Sequence, residues 1–346
     1  MEITDNLSSY YSSCTQCPRK CGINRVEGKT GVCGESADLR AAFAGLHFGE
    51  EPLITVHGGS GTIFLTGCTL RCAFCQNYQI SQNGLGSPIS AENFIAICEK
   101  LQKKGAENIN LVTPSHHIPL LADFIKQAKD NKITIPFCWN SSAYESVEML
   151  ELLKGLVTIW LPDLKTLNSE LSKTLFAAKD YPKVAKDAIS WMIDNNPLKI
   201  CEKSGFDREL GKQCSKEKLL SGVIIRHLFL PGRFEETAEV LGWLKENADG
   251  RAIISLMNQY TPVPFDEDSD RAQARKNAIS SIDNRLVTTQ EDADIQDLIE
   301  AYDFEYLFYQ ELSDDTSWLP DFRRTQPFSN KLAVPIKNFV TNTPES

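Results

Sequence analysis

From residue 55 onward two patterns alternate along the chain. Short, near-continuous apolar runs at 62–66, 108–113, 135–140, 157–161, 223–230 and 252–257 have the length and composition of parallel strands buried on both faces. Amphipathic stretches lie between them. Residues 91–104 follow Ser90 as an N-cap and carry Phe94, Ile95, Ile97, Cys98 and Leu101 at helical spacing. Residues 118–130 have Pro119 in the first turn, 146–154 end at Gly155, 181–195 begin with Pro182 near the start, and 234–247 precede the last strand. Six such repeats imply a partial or closed parallel barrel, with the site at the C-terminal ends of its strands.

The pattern also divides the chain. Residues 1–50 read as an N-terminal cysteine-rich module, in which 1–13 form a loose polar leader and 14–50 are rich in cysteine and glycine. The barrel core occupies 51–265. A Pro-punctuated acidic break spans 262–276, and 266–346 form a C-terminal appendage with a helix at 291–302 and an aromatic strand at 304–309 that closes the barrel side.

Composition narrows the function classes. The 346 residues carry a formal charge of −10 and a pI near 5.2, which argues against broad nucleic-acid binding, since that rests on clustered Lys and Arg. No run approaches the ~18–20 apolar residues of a membrane span, so no membrane partner is expected. The opening Met1-Glu2-Ile3-Thr4-Asp5 is polar and acidic, so a cytoplasmic location is expected. In that setting the 11 cysteines are metal ligands or free thiols before they are disulfides. Cys98 and Cys138 lie in apolar patterns and read as packing residues; Cys201 and Cys214 flank a polar stretch and receive no role.

Seven of the cysteines fall in the first 75 residues, in two groups. Gly67-Cys68-Thr69-Leu70-Arg71-Cys72-Ala73-Phe74-Cys75 is a C-x3-C-x2-C run directly after an apolar strand. A [4Fe–4S] cube takes four thiolates when fully ligated. Cys68, Cys72 and Cys75 supply three, which leaves one iron open to a small molecule. Buried packing cysteines, or a zinc site short of its usual fourth ligand, account less well for the spacing. The second group is Cys14, Cys17 and Cys21, with Cys33 after a glycine-rich turn. Four thiols have the count of a closed zinc site or of a second iron–sulfur centre, and spacing does not choose between them.

C-x3-C-x2-C with an aromatic residue before its last cysteine, here Phe74, resembles the signature of the radical S-adenosylmethionine superfamily. The resemblance implies a (β/α)6 partial TIM-like barrel, in agreement with the strand count. It also implies a [4Fe–4S] cluster whose open iron binds S-adenosylmethionine, and release of a 5′-deoxyadenosyl radical that abstracts hydrogen. Asp163-Leu164-Lys165, Asn140-Ser141-Ser142 and Arg226 before Leu228-Phe229-Leu230-Pro231-Gly232 narrow the resemblance to the pyruvate formate-lyase activating enzyme group. Further motifs, among them Cys75-Gln76-Asn77-Tyr78 and Leu161-Pro162-Asp163-Leu164-Lys165, are similar to a branch of uncharacterised proteins related to that enzyme, over roughly residues 14–325. Carried over, it implies cofactor contacts from Phe74, Asn140, Ser142, Asp163, Lys165 and Arg226, though a structural ion-pair network also fits the three charged residues.

Two departures from the group stand out. Its Gly-Gly-Glu after the second strand is replaced by Val112-Thr113-Pro114-Ser115-His116-His117, so the contact to the cofactor amino group falls by default to Thr113. Ala143 stands where glycine is more usual. His116 and His117 read either as exposed loop residues or as groups facing the substrate. The activity implied is activation of a glycyl-radical protein, with a reduced flavodoxin- or ferredoxin-like protein as electron donor. Glycine abstraction requires a wide mouth, framed by 112–117, the 14–33 module and the aromatic tail near 306–309. Modification of a small molecule or peptide, and a non-catalytic iron–sulfur redox sensor, are the alternatives.

Overall fold

The computed structural model describes residues 5–340 apart from 209, 266–269, 317 and 330. The N-terminal part contains α1 (Asp5–Ser12), β1 (Arg40–His47), α2 (Pro52–Thr55), β2 (Ser60–Leu65), α3 (Tyr78–Ser81) and the two-residue β3 (Ser87–Pro88). Strands and helices then alternate: α4 (Ala91–Lys103), β4 (Ile109–Val112), α5 (Ile118–Asp130), β5 (Phe137–Ser141), α6 (Val147–Leu150) and β6 (Ile159–Pro162). After α7 (Ser169–Phe176) and α8 (Tyr181–Asn195) comes a hairpin of β7 (Lys199–Asp207) and β8 (Lys212–Leu228). The chain continues through α9 (Phe234–Asn247), β9 (Ile253–Met257), α10 (Asp270–Ile279), α11 (Thr289–Tyr302), β10 (Leu307–Gln310) and β11 (Ala333–Asn338).

The strands form one sheet in the order β10-β9-β8-β6-β5-β4-β2-β1-β11. From β2 to β10 neighbouring strands on this path are parallel; β1 joins β2 antiparallel, and β11 returns to pair with β1. The result is the expected partial barrel of parallel strands with an antiparallel rim on one side. Every residue of β2, β4, β5 and β6 is buried, because helices cover the outer face and other side chains fill the inner one. The helix at 91 begins as expected: the Ser90 hydroxyl accepts from Asn93 N–H at 3.2 Å, and Phe94, Ile97, Cys98 and Leu101 turn to the core. Cys98 and Cys138 are fully buried packing residues.

The differences have physical causes. Residues 5–12 are a helix rather than part of a loose leader, because Leu7 and Tyr10 pack against the core and Tyr11 is fully buried in it. The strand expected at 223–230 begins at Lys212, as half of the β7–β8 hairpin. Its outer portion alternates exposed and half-buried residues, a polar period-two pattern that contains no apolar run to find. The helix expected over 146–154 stops at Leu150 and tightens into a 3-10 turn at Glu151–Leu153. Thr288 and Glu291 start α11 with reciprocal side-chain to backbone hydrogen bonds. Of the acidic break, 266–269 lie outside the described residues.

His227, on β8, is buried; its Nδ1–H donates to the Leu164 carbonyl at 2.7 Å, and Nε2 accepts from the Thr237 hydroxyl at 2.9 Å. Burial pushes its pKa down to about 4. That lies below the unfolded value of about 6.5, so the stabilisation is complete above that pH and is lost as pH falls toward the folded value. The stability advantage of wild type over His227→Gln, measured by chemical denaturation, should shrink by roughly 3 kcal/mol between pH 7 and pH 4; a constant difference would refute it.

Candidate active site at the C-terminal rim

The first cysteine group sits where β2 ends. Gly67 makes the turn at φ +76°, and a Cβ there would lie 2.3 Å from Glu35 Cγ and 2.9 Å from the Cys33 carbonyl oxygen, so glycine is required on both counts. Backbone hydrogen bonds then hold the loop. Cys68 N–H donates to Cys33 O at 3.2 Å, Arg71 N–H to Phe176 O at 3.2 Å and Ala73 N–H to Leu175 O at 2.8 Å. Arg19 Nε adds a bond to Thr69 O at 2.9 Å. Phe74 is a packing anchor of this loop, its ring edge-on to Phe176 at 5.9 Å and to Tyr260 at 6.0 Å.

Cys72 is buried, and Cys68 and Cys75 are half-buried. Burial pushes the Cys68 thiol up to about 11 and the Cys72 thiol higher still, while the Lys165 ammonium pulls both back. Thiols in such surroundings become thiolates only when a cation binds them. Among the described residues the three sulfurs do not all lie within 4.8 Å of one another. Tetrahedral zinc, at about 2.3 Å from each thiolate, would draw them to about 3.8 Å. Three spaced thiols on one loop fit three corners of a cube.

The rim beside them is built by one hydrogen bond from each strand end to the next. Thr113 N–H donates to Asn140 O, Asp163 N–H to Ser141 O and Leu164 N–H to Arg226 O, each at 2.9 Å. This brings together Asn140, Asp163, Lys165 and Arg226. Arg226 Nε donates to Asp163 Oδ1 at 2.8 Å and Nη2 to Asn140 Oδ1 at 2.6 Å. Lys165 Nζ lies 2.8 Å from Asp163 Oδ2. Burial opposes ionisation of Asp163, but Arg226 and Lys165 outweigh it and hold the carboxyl below its ordinary range. Burial likewise opposes the Lys165 charge, and Asp163 and Cys72 together raise its pKa. Lys165 thus pairs with the Asp163 carboxylate and lies within electrostatic reach of Cys72.

Glu50 was not legible in the sequence. It lies before α2, yet its Oε1 accepts from Asn140 Nδ2 at 3.3 Å and its Oε2 is 3.5 Å from Arg226 Nη1. Neighbouring Glu51 accepts from Ser255 Oγ on β9 at 2.9 Å. The only signal was two adjacent carboxylates before Pro52 in an otherwise apolar stretch. Thr113 has φ +59° and Ala143 φ +56°, left-handed positions where a side chain is strained; glycine at either would relax the turn. Ser142 is half-exposed on the rim between Ser141 and Ala143.

His116 and His117 are both buried rather than exposed. His117 is held by Tyr11 Oη at 3.1 Å on Nδ1 and by Arg25 Nη2 at 3.0 Å on Nε2, a structural role. Among the described residues neither ring nitrogen of His116 makes a hydrogen bond of full geometry, although the Thr66 backbone lies near enough to favour its charged form. Cys201 and Cys214 lie on the β7–β8 hairpin. Cys214 groups with His57 and Asp207, but Asp207 already accepts from Leu210 N–H and pairs with Lys216 at 2.7 Å. The expected aromatic tail is a side strand: β10 extends the sheet beyond β9, with Tyr309 Oη bonded to Asn258 and Asp292.

Residues 62–199 match the Radical SAM superfamily model, a span that contains Cys68, Cys72, Cys75, Asn140, Asp163 and Lys165. Over these residues the chain is similar to this superfamily, and the match supports a [4Fe–4S] cluster and S-adenosylmethionine as cofactors. It is similar to the Methanocaldococcus jannaschii protein MJ0674, with 29% identity over 272 residues, 76% of this chain and 69% of the relative. Among solved structures it is similar to Streptococcus suis SuiB bound to its precursor peptide SuiA (13% identity, 70% of this chain and 46% of the other, TM-score 0.47). It is also similar to a domain of pyruvate-formate lyase-activating enzyme from Bacteroides vulgatus (12%, 56% and 92%, TM-score 0.36). The chain spans just under half the length of the SuiB chains it matches. Similarity this loose says nothing about substrate.

Replacing Lys165 or Arg226 with alanine should weaken S-adenosylmethionine binding about ten- to a hundredfold, the loss of one charge-assisted hydrogen bond at roughly 1.5–3 kcal/mol. The iron–sulfur absorption should persist. Arg226→Ala should also lower the melting temperature, because Asp163 and Glu50 lose their shared counter-charge. Equilibrium binding and thermal melts check both; unchanged affinity in both variants would make the pair purely structural.

Proposed function

We propose that this chain cleaves S-adenosylmethionine at the Cys68/Cys72/Cys75 site and uses the product to abstract a hydrogen atom from a backbone glycine of a partner protein, as a glycyl-radical activating enzyme does. When bound, the cluster and S-adenosylmethionine supply a one-electron reductive cleavage that yields a 5′-deoxyadenosyl radical. The observation that carries the reading is the charged rim at the strand ends, in which Lys165 and Arg226 both pair with Asp163 and Arg226 bonds Asn140. Cys68, Cys72 and Cys75 would hold the cluster. Lys165 and Arg226 offer positive charge to a carboxylate, Asp163 offers negative charge to an amino group, and Asn140 and Ser142 offer neutral hydrogen bonds to a ribose. The partner-glycine half rests on the motifs shared with the activating enzymes.

One observation favours modification of a peptide or small molecule instead. Where the activating enzymes carry Gly-Gly-Glu, this chain has a strained Thr113 followed by Pro114, Ser115, His116 and His117, all four buried. The mouth beside this turn is therefore built differently.

Anaerobically prepared Cys72→Ala protein should form no 5′-deoxyadenosine, whereas wild type should form it with a strong chemical reductant. Normal turnover in the variant would sink the assignment, and no cleavage by reconstituted wild type would favour the sensor alternative. With cleavage established, a glycyl-radical signal in a partner by electron paramagnetic resonance supports activation; its absence across candidate partners favours the second reading.

A further inference from the structure

The β7–β8 hairpin leaves the barrel at the N-terminal ends of the strands, opposite the cysteine loop. Strand β8 meets β6 only from Gly222 onward, and the part before it pairs with β7. One face of the hairpin is fastened to the barrel floor. Lys203 and Lys218 pair with Glu107 at 2.6 and 2.7 Å, and Lys216 Nζ bonds the Val56 carbonyl at 3.3 Å. Asp207 and Cys214 stand on that same face, nearer the tip, since side chains alternate along each strand. Gly205 lies directly across from Cys214, and a Cβ there would meet His57 Cδ2 at 2.5 Å. The absent side chain leaves the space that the His57 ring fills.

Among the described residues, His57, Asp207 and Cys214 are the one group of His, Cys, Asp or Glu whose ligand atoms all lie within 4.8 Å of one another. Each member is suited to hold a cation. His57 Nε2 is 3.0 Å from the Lys203 carbonyl oxygen. A carbonyl only accepts, so the proton sits on Nε2 and the lone pair on Nδ1. Metal-binding histidines have their other ring N–H held by an acceptor in this way. Nδ1 is enclosed, and among the described residues it has no hydrogen-bond partner. Asp207 is 3% exposed. Its Oδ1 takes the Leu210 N–H at 2.8 Å and its Oδ2 the Lys216 ammonium at 2.7 Å, which does not exhaust the roughly four acceptor positions of a carboxylate. Cys214 Sγ is 3.9 Å from Asp207 Oδ2. Tetrahedral zinc, with bonds of about 2.3 Å to sulfur and about 2.1 Å to oxygen, sets that edge at about 3.6 Å.

We propose that His57 Nδ1, an Asp207 carboxylate oxygen and Cys214 Sγ bind one zinc-type divalent cation, with water in the fourth position, and that the ion pins the hairpin to the barrel floor. One nitrogen, one oxygen and one sulfur donor suit zinc, whereas calcium and magnesium take oxygen ligands. On binding, the Cys214 thiol gives its proton to solvent and the thiolate bonds the ion. Thiolate and carboxylate then match the two charges of the metal, and Lys216 stays beside the carboxylate. The site lies at the opposite end of the barrel from the cysteine loop and does not rest on the radical S-adenosylmethionine reading.

Wild-type protein with its iron–sulfur content reconstituted and free metal removed allows a test that needs no variant. Alkylation of Cys214 by iodoacetamide, followed by mass spectrometry, should slow about tenfold at a zinc concentration about ten times the dissociation constant. Cys201, on β7 of the same hairpin, should react at an unchanged rate. An unmoved Cys214 rate across a zinc titration, or equal slowing at both cysteines, would overturn the site. After dialysis against zinc, wild type should also hold about one zinc more than Cys214→Ser or His57→Gln protein of equal iron content; equal zinc in all three would overturn it too. Zinc should raise the melting temperature of wild type and leave that of Cys214→Ser in place. Protection of Cys214 without that rise would remove the pinning role. None of these readings depends on whether S-adenosylmethionine is cleaved.

Discussion

The site depends on a guanidinium placed inside a parallel barrel. Arg226 lies on β8 among Ile224, Ile225 and Leu228, where burial makes an uncompensated charge expensive. Its compensation comes from three other parts of the chain: Asp163 after β6, Asn140 on β5 and Glu50 before α2. Meeting that requirement holds strand ends in register where β6 and β8 pair only at Ile159–Gly222 and Trp160–Val223, with a further bridge at Asp163–Arg226. Asp163, once fixed by Arg226 through Oδ1, holds Lys165 through Oδ2. The ion-pair network is therefore in place, and the proposed cofactor contacts would be made by the same set of atoms.

A second set of cations works at the N-terminal edge. Arg19 and Arg25 spend most of their donors on backbone carbonyl oxygens, and Arg71 Nη2 bonds the Val32 carbonyl. Carbonyls at loop turns are the acceptors left over when no strand pairs with them. Guanidinium groups, with five donors in a fixed fork, collect several at once. These bonds tie the segment between α1 and β1 to the loop after β2, to the end of α7 and to the turn after β4.

The parts legible from sequence share one property: their signal is local. Buried parallel strands announce themselves as apolar runs because both faces are covered, and β2, β4, β5, β6 and β9 were found within a few residues. The three-cysteine loop was legible because its cysteines lie within eight residues directly after an apolar run. Asn140, Asp163, Lys165 and Arg226 were legible as polar groups at the ends of apolar strands, where burial demands a purpose. The β7–β8 hairpin escaped because a polar alternating strand resembles a loop, and α1 because its burial rests on Leu7, Tyr10 and Tyr11 finding a core elsewhere.

What the sequence determined alone is therefore the parallel α/β architecture, the C-x3-C-x2-C donor set and the four-thiol count near the start. Each follows from spacing that the covalent chain enforces. Tertiary structure decided the rest. It brought Glu50 across to Arg226, turned His117 from a candidate reactive group into a buried partner of Tyr11 and Arg25, and set the Cys33 carbonyl against the Cys68 amide. These are contacts between residues tens to hundreds of positions apart, formed because buried charges and unpaired backbone groups must find partners wherever the fold supplies them; no local pattern encodes which partner that will be.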